Sequence, residues 1–162
     1  MPSKQKAKGN NYERWCAKHL SSVFGLNFTR VPTSGAMTGG INEEILKRLS
    51  GTQKLLLEGD LIPPDELTNI KIECKSLKSL NFSSLITKNS TMDSWIEQAF
   101  SKEKIWFLMF KINNRGNFIR FSEDVFKPCE LNHTYIRYNN CYITSLDGFF
   151  ESNKSRLLKW CQ

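Results

Sequence analysis

A chain of 162 residues, 40% hydrophobic and 12% aromatic, suits one domain with a real core and excludes a disordered chain. Lysine and arginine number 23 against 16 acids, a net charge of +7, which favours an anionic partner, most simply nucleic acid. No run of about 18 apolar residues and no apolar leader occurs, so neither a membrane span nor a secretory signal is expected.

Residues 2–9 (PSKQKAKG) read as a basic flexible arm, with Lys4, Lys6 and Lys8 available to phosphates. Asn10 or Asn11 can cap a helix to about Ser22 that buries Tyr12, Trp15, Cys16, His19, Leu20 and Val23, and Gly25 stops it. Phe28 to Val31 reads as a short strand. Residues 32–41 (PTSGAMTGGI) form a loop, and Asn42 caps a short helix to about Leu49. Leu55 to Ile62 reads as a strand carrying Asp60, and Pro63-Pro64-Asp65 turns the chain into a strand over 70–75. A helix follows near 92–101 with Trp95, Ile96, Ala99 and Phe100. The apolar run from Ile105 to Lys111 marks a buried central strand. Asn113-Asn114-Arg115-Gly116-Asn117 turns it into a hairpin with Phe118 to Ser122. Short strands near 135–138 and 141–144 precede a last helix over about 146–160 that buries Phe149, Phe150, Leu157, Leu158 and Trp160. The whole is one α/β unit without repeats.

The chemistry sits in Ile70-Lys71-Ile72-Glu73-Cys74-Lys75. Alternation sends Ile70, Ile72 and Cys74 to one face and Lys71, Glu73 and Lys75 to the other, with Glu73 and Lys75 about 6–7 Å apart. With Asp60 on a neighbouring segment, this set can hold a divalent metal beside an activated water. Alternating charge on a half-solvated strand is also ordinary, and Asp…Glu-x-Lys alone occurs by chance in many proteins. Cys16, Cys74, Cys129, Cys141 and Cys161 are odd in number and contain no C-x-x-C pair, which argues against a disulfide framework and a structural zinc site. His19 and His133 lack the neighbours of a histidine-based metal site.

Six features in order carry a family resemblance: Lys8-Gly9, Glu13-Arg14, Arg30, Ser34-Gly35, Asp60 and Glu73-Cys74-Lys75. Over roughly residues 8–111 the chain resembles the PD-(D/E)xK nuclease superfamily, most of all the archaeal-type Holliday-junction resolvases and their phage relatives. It departs from the pattern in three places. Gly59 stands where the family has a proline before the aspartate. The stretch from Ser34-Gly35 to Asp60 is long, which implies an inserted helix and loop at about 36–58. The tail after about residue 122 matches nothing in that pattern.

The resemblance implies a restriction-endonuclease-like core, a central mixed β-sheet flanked by helices, in a single nuclease domain over 10–162. It implies a Mg²⁺-dependent endonuclease (Mn²⁺ as substitute) cutting DNA, most simply branched DNA at four-way junctions, as a homodimer. Glu13, Asp60, Glu73 and Lys75 would be catalytic, and Asp60, Glu73, the Cys74 backbone carbonyl and Glu13 would hold metal. Lys4, Lys6, Lys8, Arg14, Arg30 and Ser34 would contact DNA, and Gln98 would stand behind the site. Simpler roles stay open. Glu13 suits a helix's first turn, Arg14 and Arg30 can pair with acids, Ser34 fits a turn, and Gln98 can face solvent. Glu58, two residues before Asp60, is the alternative ligand on that strand. The rival functions are another nuclease of the superfamily and a nucleic-acid-binding module with an idle site. The expected location is the cytoplasm, or a host cell's cytoplasm if the source is viral.

Overall fold

The computed structural model describes residues 4–31, 58–125 and 134–160. The loop and helix expected within 32–57, Ser34 among them, lie outside the described residues.

Helix α1 runs Lys4–Phe24. Tyr12, Cys16, Leu20 and Phe24 repeat every four residues and are all buried, so one stripe of the helix faces the core. Gly25 ends it at φ +69°, its N–H donating to the Ser21 carbonyl at 2.9 Å. Two expectations change here. The arm expected over 1–9 is helical from Lys4, because Lys6, Ala7 and Lys8 are good helix formers and the packed half of α1 nucleates the turns before it. Trp15, expected inside, is 40% exposed, because it falls beside the buried stripe and lies against Tyr12 and His19 instead.

Strands β1 (Thr29–Arg30) and β2 (Leu61–Ile62) pair antiparallel as a small two-stranded sheet. The main sheet contains β3 (Ile70–Leu77), β4 (Ile105–Ile112), β5 (Gly116–Ser122), β6 (Tyr135–Tyr138) and β7 (Cys141–Ser145), in the order β3-β4-β5-β7-β6. Among the described strands only β3 and β4 pair in parallel, and helix α2 (Ser90–Ala99) lies on the crossover between them. Asn89 caps α2, its side chain accepting from the Met92 N–H at 2.9 Å. The β6–β7 turn places Asn139 and Asn140 at φ 45° and 54°, the doubly left-handed form that suits a two-residue hairpin. Helix α3 (Phe149–Trp160) closes the described chain.

The sheet separates two cores. Ile70, Ile72, Cys74, Phe107, Met109, Ile119 and Phe121 pack under α1 and α3. Trp106, Leu108, Phe110 and Ile143 pack under α2. Trp106, Phe107, Phe110, Phe149 and Phe150 are all buried in these cores. The result is a mixed five-stranded sheet flanked by helices, the restriction-endonuclease-like α/β architecture. No helix among the described residues is long and apolar enough to cross a membrane.

Candidate active site

The site forms on the outer edge of β3. Asp60 reaches it because its backbone is tied on both sides: its N–H donates to the Ile72 carbonyl at 2.9 Å, and its carbonyl accepts from Val31 N–H at 3.0 Å. Its carboxylate then accepts the Cys74 N–H at 2.8 Å. Gly59 makes this approach possible. It sits at φ +91°, and a Cβ there would stand 2.6 Å from the Ile72 carbonyl oxygen. Proline, fixed near φ −65°, cannot occupy this conformation, which accounts for the missing family proline. Asp60 itself stands on a bend just before β2, not within the longer strand expected over 55–62.

Glu73 and Lys75 share the α2 face of β3, and the Lys75 Nζ donates to Glu73 Oε1 at 2.6 Å. On α1, Glu13 Oε2 accepts from Arg30 Nε at 2.5 Å, and Arg30 Nη2 donates to Asn10 Oδ1 at 3.0 Å. Glu13 lies mid-helix, so a favourable place in the helix dipole does not account for it. Glu13, Asp60 and Glu73 are each less than a tenth exposed. Burial first, then the charge of Glu73, raises the Asp60 carboxyl to about 7. The Cys74 N–H pulls it back down, Glu13 raises it further and Lys75 lowers it.

Three buried carboxylates face two cations, Arg30 and Lys75, so the described residues leave this edge short of positive charge. The donors fit a hard divalent cation. Asp60 and Glu73 supply carboxylate oxygens, and the Cys74 carbonyl lies on the same open strand edge as its N–H. Among the described residues no three His, Cys, Asp or Glu side chains converge into a ready-made cage.

The structure brings together Glu13, Arg30, Asp60, Glu73 and Lys75. Glu58 is exposed and pairs with Lys104 Nζ at 3.5 Å, which separates it from the cluster. Arg14 is exposed and donates to Asn11 Oδ1 at 3.1 Å. Lys6 and Lys8 are exposed on α1, and Lys8 Nζ donates to Asn113 Oδ1 at 2.7 Å. Gln98, expected behind the site, is exposed on α2, and its backbone carbonyl accepts from Lys71 Nζ at 2.8 Å. Sequence reasoning missed Gly59 as the residue that delivers Asp60, and Asn10 as the brace of Arg30. A glycine beside the aspartate was the available signal.

The family described as phage putative PDDEXK endonuclease matches residues 4–159. The chain belongs to this family. The match runs through the whole described domain, including the segment after residue 122, so the β6–β7 hairpin and α3 are part of what the family shares. No curated protein and no solved structure matches the chain significantly. As a PDDEXK endonuclease the protein is a nuclease of the PD-(D/E)xK superfamily.

Proposed function

We propose that this PDDEXK endonuclease is a Mg²⁺-dependent enzyme that cuts branched DNA, with the four-way junction as its substrate. The observation that carries the reading is the buried cluster on the β3 edge, with Asp60 against the Cys74 N–H and Lys75 on Glu73. The order of six features shared with junction resolvases supports the branched substrate, and the +7 net charge supports a nucleic acid.

Asp60, Glu73 and the Cys74 carbonyl would hold the metal, with Glu13 completing its surroundings. When bound, the ion supplies an acidified water and neutralises charge on the phosphoryl oxygens. Lys75 places an ammonium beside Glu73, where it orients the attacking water and offsets negative charge as the phosphate is attacked. Arg30 fixes Glu13 and brings a second cation toward the phosphate. Resolution needs two cuts on opposing strands, and one chain provides one cluster, so the active species is a two-fold homodimer. The outer strand β6 exposes Tyr135 and Ile136 and is the described edge best suited to it.

The test is cleavage by purified protein of four-way, flapped, single-stranded and linear DNA. Cutting is expected with Mg²⁺ or Mn²⁺, with junctions preferred, while Ca²⁺ supports binding only and EDTA abolishes cutting. Robust cleavage in EDTA would sink the metal mechanism. Preference for flapped or linear DNA, together with a strict monomer in light scattering, would move the assignment to another nuclease activity of the superfamily. Metal-independent binding without cutting of any substrate would favour an idle binding module.

A further inference from the structure

We propose that a cavity on the other face of β3 receives one unpaired nucleotide adjoining the cut phosphate, an inference that rests on the DNA-cutting reading and deepens it. The cavity measures about 280 Å³ and is lined chiefly by Lys8, Tyr12, Trp15, Ser76, Lys111 and Asn117. Ser76, Lys111 and Asn117 stand directly across from one another on β3, β4 and β5, so they form one row on a single face of the sheet. Ser76 directly follows Lys75, and Tyr12 directly precedes Glu13. The cavity therefore shares both of its main supports with the catalytic cluster, one residue away on the opposite face.

Two polar atoms here, Ser76 Oγ and Asn117 Oδ1, are buried with no hydrogen-bond partner among the described residues, and a third, Tyr12 Oη, meets only sulfur. Tyr12 is only 5% exposed, and its hydroxyl sits against the thiols of Cys16 and Cys74, which are weak partners. Burial keeps that hydroxyl protonated and so able to donate. Unpaired groups gathered in one small cavity are costly to the protein alone and well suited to a ligand rich in hydrogen-bonding atoms.

The remaining groups define that ligand. Lys8, steadied by Asn113, and Lys111 supply two ammonium groups for a phosphate. Trp15 lies offset-stacked between Tyr12 and His19, within 9° and 3° of parallel, and is 40% exposed, so the part of its ring that they leave uncovered is where a base can stack. The Asn117 amide offers the paired donor and acceptor that match a base edge, adenine best of all. A volume just under the usual lower bound of about 300 Å³ for ligand pockets admits one nucleotide and excludes a base pair. Duplex DNA presents no such nucleotide, whereas a branch point can release one.

The test is binding in EDTA, so that no cutting intervenes, using junction and gapped DNA carrying 2-aminopurine at successive unpaired positions, with intact duplex as the reference. Wild-type protein should quench 2-aminopurine strongly at one position, and Trp15→Ala should abolish that quenching. Trp15→Ala should weaken binding of the gapped and junction DNA about tenfold, and intact duplex no more than about twofold. Asn117→Ala and Ser76→Ala should show the same selectivity at smaller size, and Trp15→Phe should restore most of the affinity, which guards against a folding artefact. Equal losses on duplex and gapped DNA, or no quenching at any position, overturns the proposal. Cleavage of junctions by the wild-type protein is scored separately. Cutting without any Trp15-dependent binding defeats the cavity alone, and Trp15-dependent binding without cutting supports the cavity and defeats the nuclease reading.

Discussion

At the β3 edge three carboxylates are buried beside two cations, whereas in the middle of the same sheet an arginine is buried with no direct ion pair among the described residues, Asp93 acting on it only from beyond Tyr138. Arg120, on β5, is fully buried, and its guanidinium carbon stands 5.5 Å from the Trp106 ring centre and 5.9 Å from that of Tyr138. Its Nη2 donates to the Tyr138 carbonyl at 3.3 Å, while Nε and Nη1 have no hydrogen-bond partner among the described residues. Burial lowers it to about 10, so it stays charged at neutral pH. Tyr138 is itself held, its hydroxyl donating to Asp93 Oδ1 at 2.6 Å and accepting from the Asn89 N–H. Aromatic faces replace solvent around this cation. The acids at the edge, by contrast, sit at the rim of an open strand, where a metal ion and a phosphate can reach them. In the function proposed above, buried charge at the edge serves chemistry, whereas buried charge at the centre lies in the packing of α2 and the β6–β7 hairpin against the sheet.

The sharpest way to break this comparison is to remove the edge charges. Asp60→Ala, Glu73→Ala and Lys75→Ala should each slow single-turnover cleavage by about 10²–10⁴-fold while thermal melts show an intact fold. DNA affinity should persist, and rise for the two carboxylate changes, because negative charge beside phosphate is removed. Normal cutting by all three variants would show that the cluster is not the active site.

The next effect tests the backbone rather than a charge. Gly59→Ala should cost about 100-fold in cleavage, because a Cβ forced against the Ile72 carbonyl displaces Asp60 from the Cys74 N–H. Retention of full activity would mean that Asp60 does not need this tether.

Arg120 should behave in the opposite way. Arg120→Ala should lower stability by about 3 kcal/mol in chemical denaturation, by opening a cavity between Trp106 and Tyr138. Arg120→Met, which fills the space and removes the buried charge, should be close to neutral. Cleavage by either folded variant should match wild type. A large cleavage defect in Arg120→Met would erase the distinction between the two regions.

The pH dependence returns to the edge. The folded Asp60 carboxyl titrates near 7 against an ordinary value of 3.8, so between these values the folded state binds more protons than the unfolded one. Stability of the metal-free protein should therefore fall as pH rises from about 4 to 7, and divalent metal should bind more tightly over the same rise. Asp60→Asn should flatten the stability profile, and an unchanged slope would place the titration elsewhere. The smallest effect expected is that of Glu58→Ala, which removes one exposed ion pair and should change stability by no more than about 0.5 kcal/mol, with cleavage unaffected. A dead Glu58→Ala beside an active Asp60→Ala would move the ligand by two residues.

Much of this protein is local and therefore readable from the chain. Strict alternation placed Cys74 on one face of β3 and Glu73 with Lys75 on the other. The apolar run from Ile105 marked the central strand, and Asn113-Asn114 with Gly116 marked the hairpin after it, because period and turn chemistry act within a few residues. The helix start at Lys4 and the exposure of Trp15 were not readable, since cooperative extension and the choice of buried stripe depend on what packs against α1. The same holds for the site. Asp60 and Glu58 are equivalent by spacing, and only the pairing of Asp60 with Ile72 and of Glu58 with Lys104 separates them. Local patterning determined which elements form and which faces they bury. The tertiary structure decided which carboxylates meet, because a buried cluster of like charges is assembled from segments far apart in sequence, and short-range preference carries no record of that meeting.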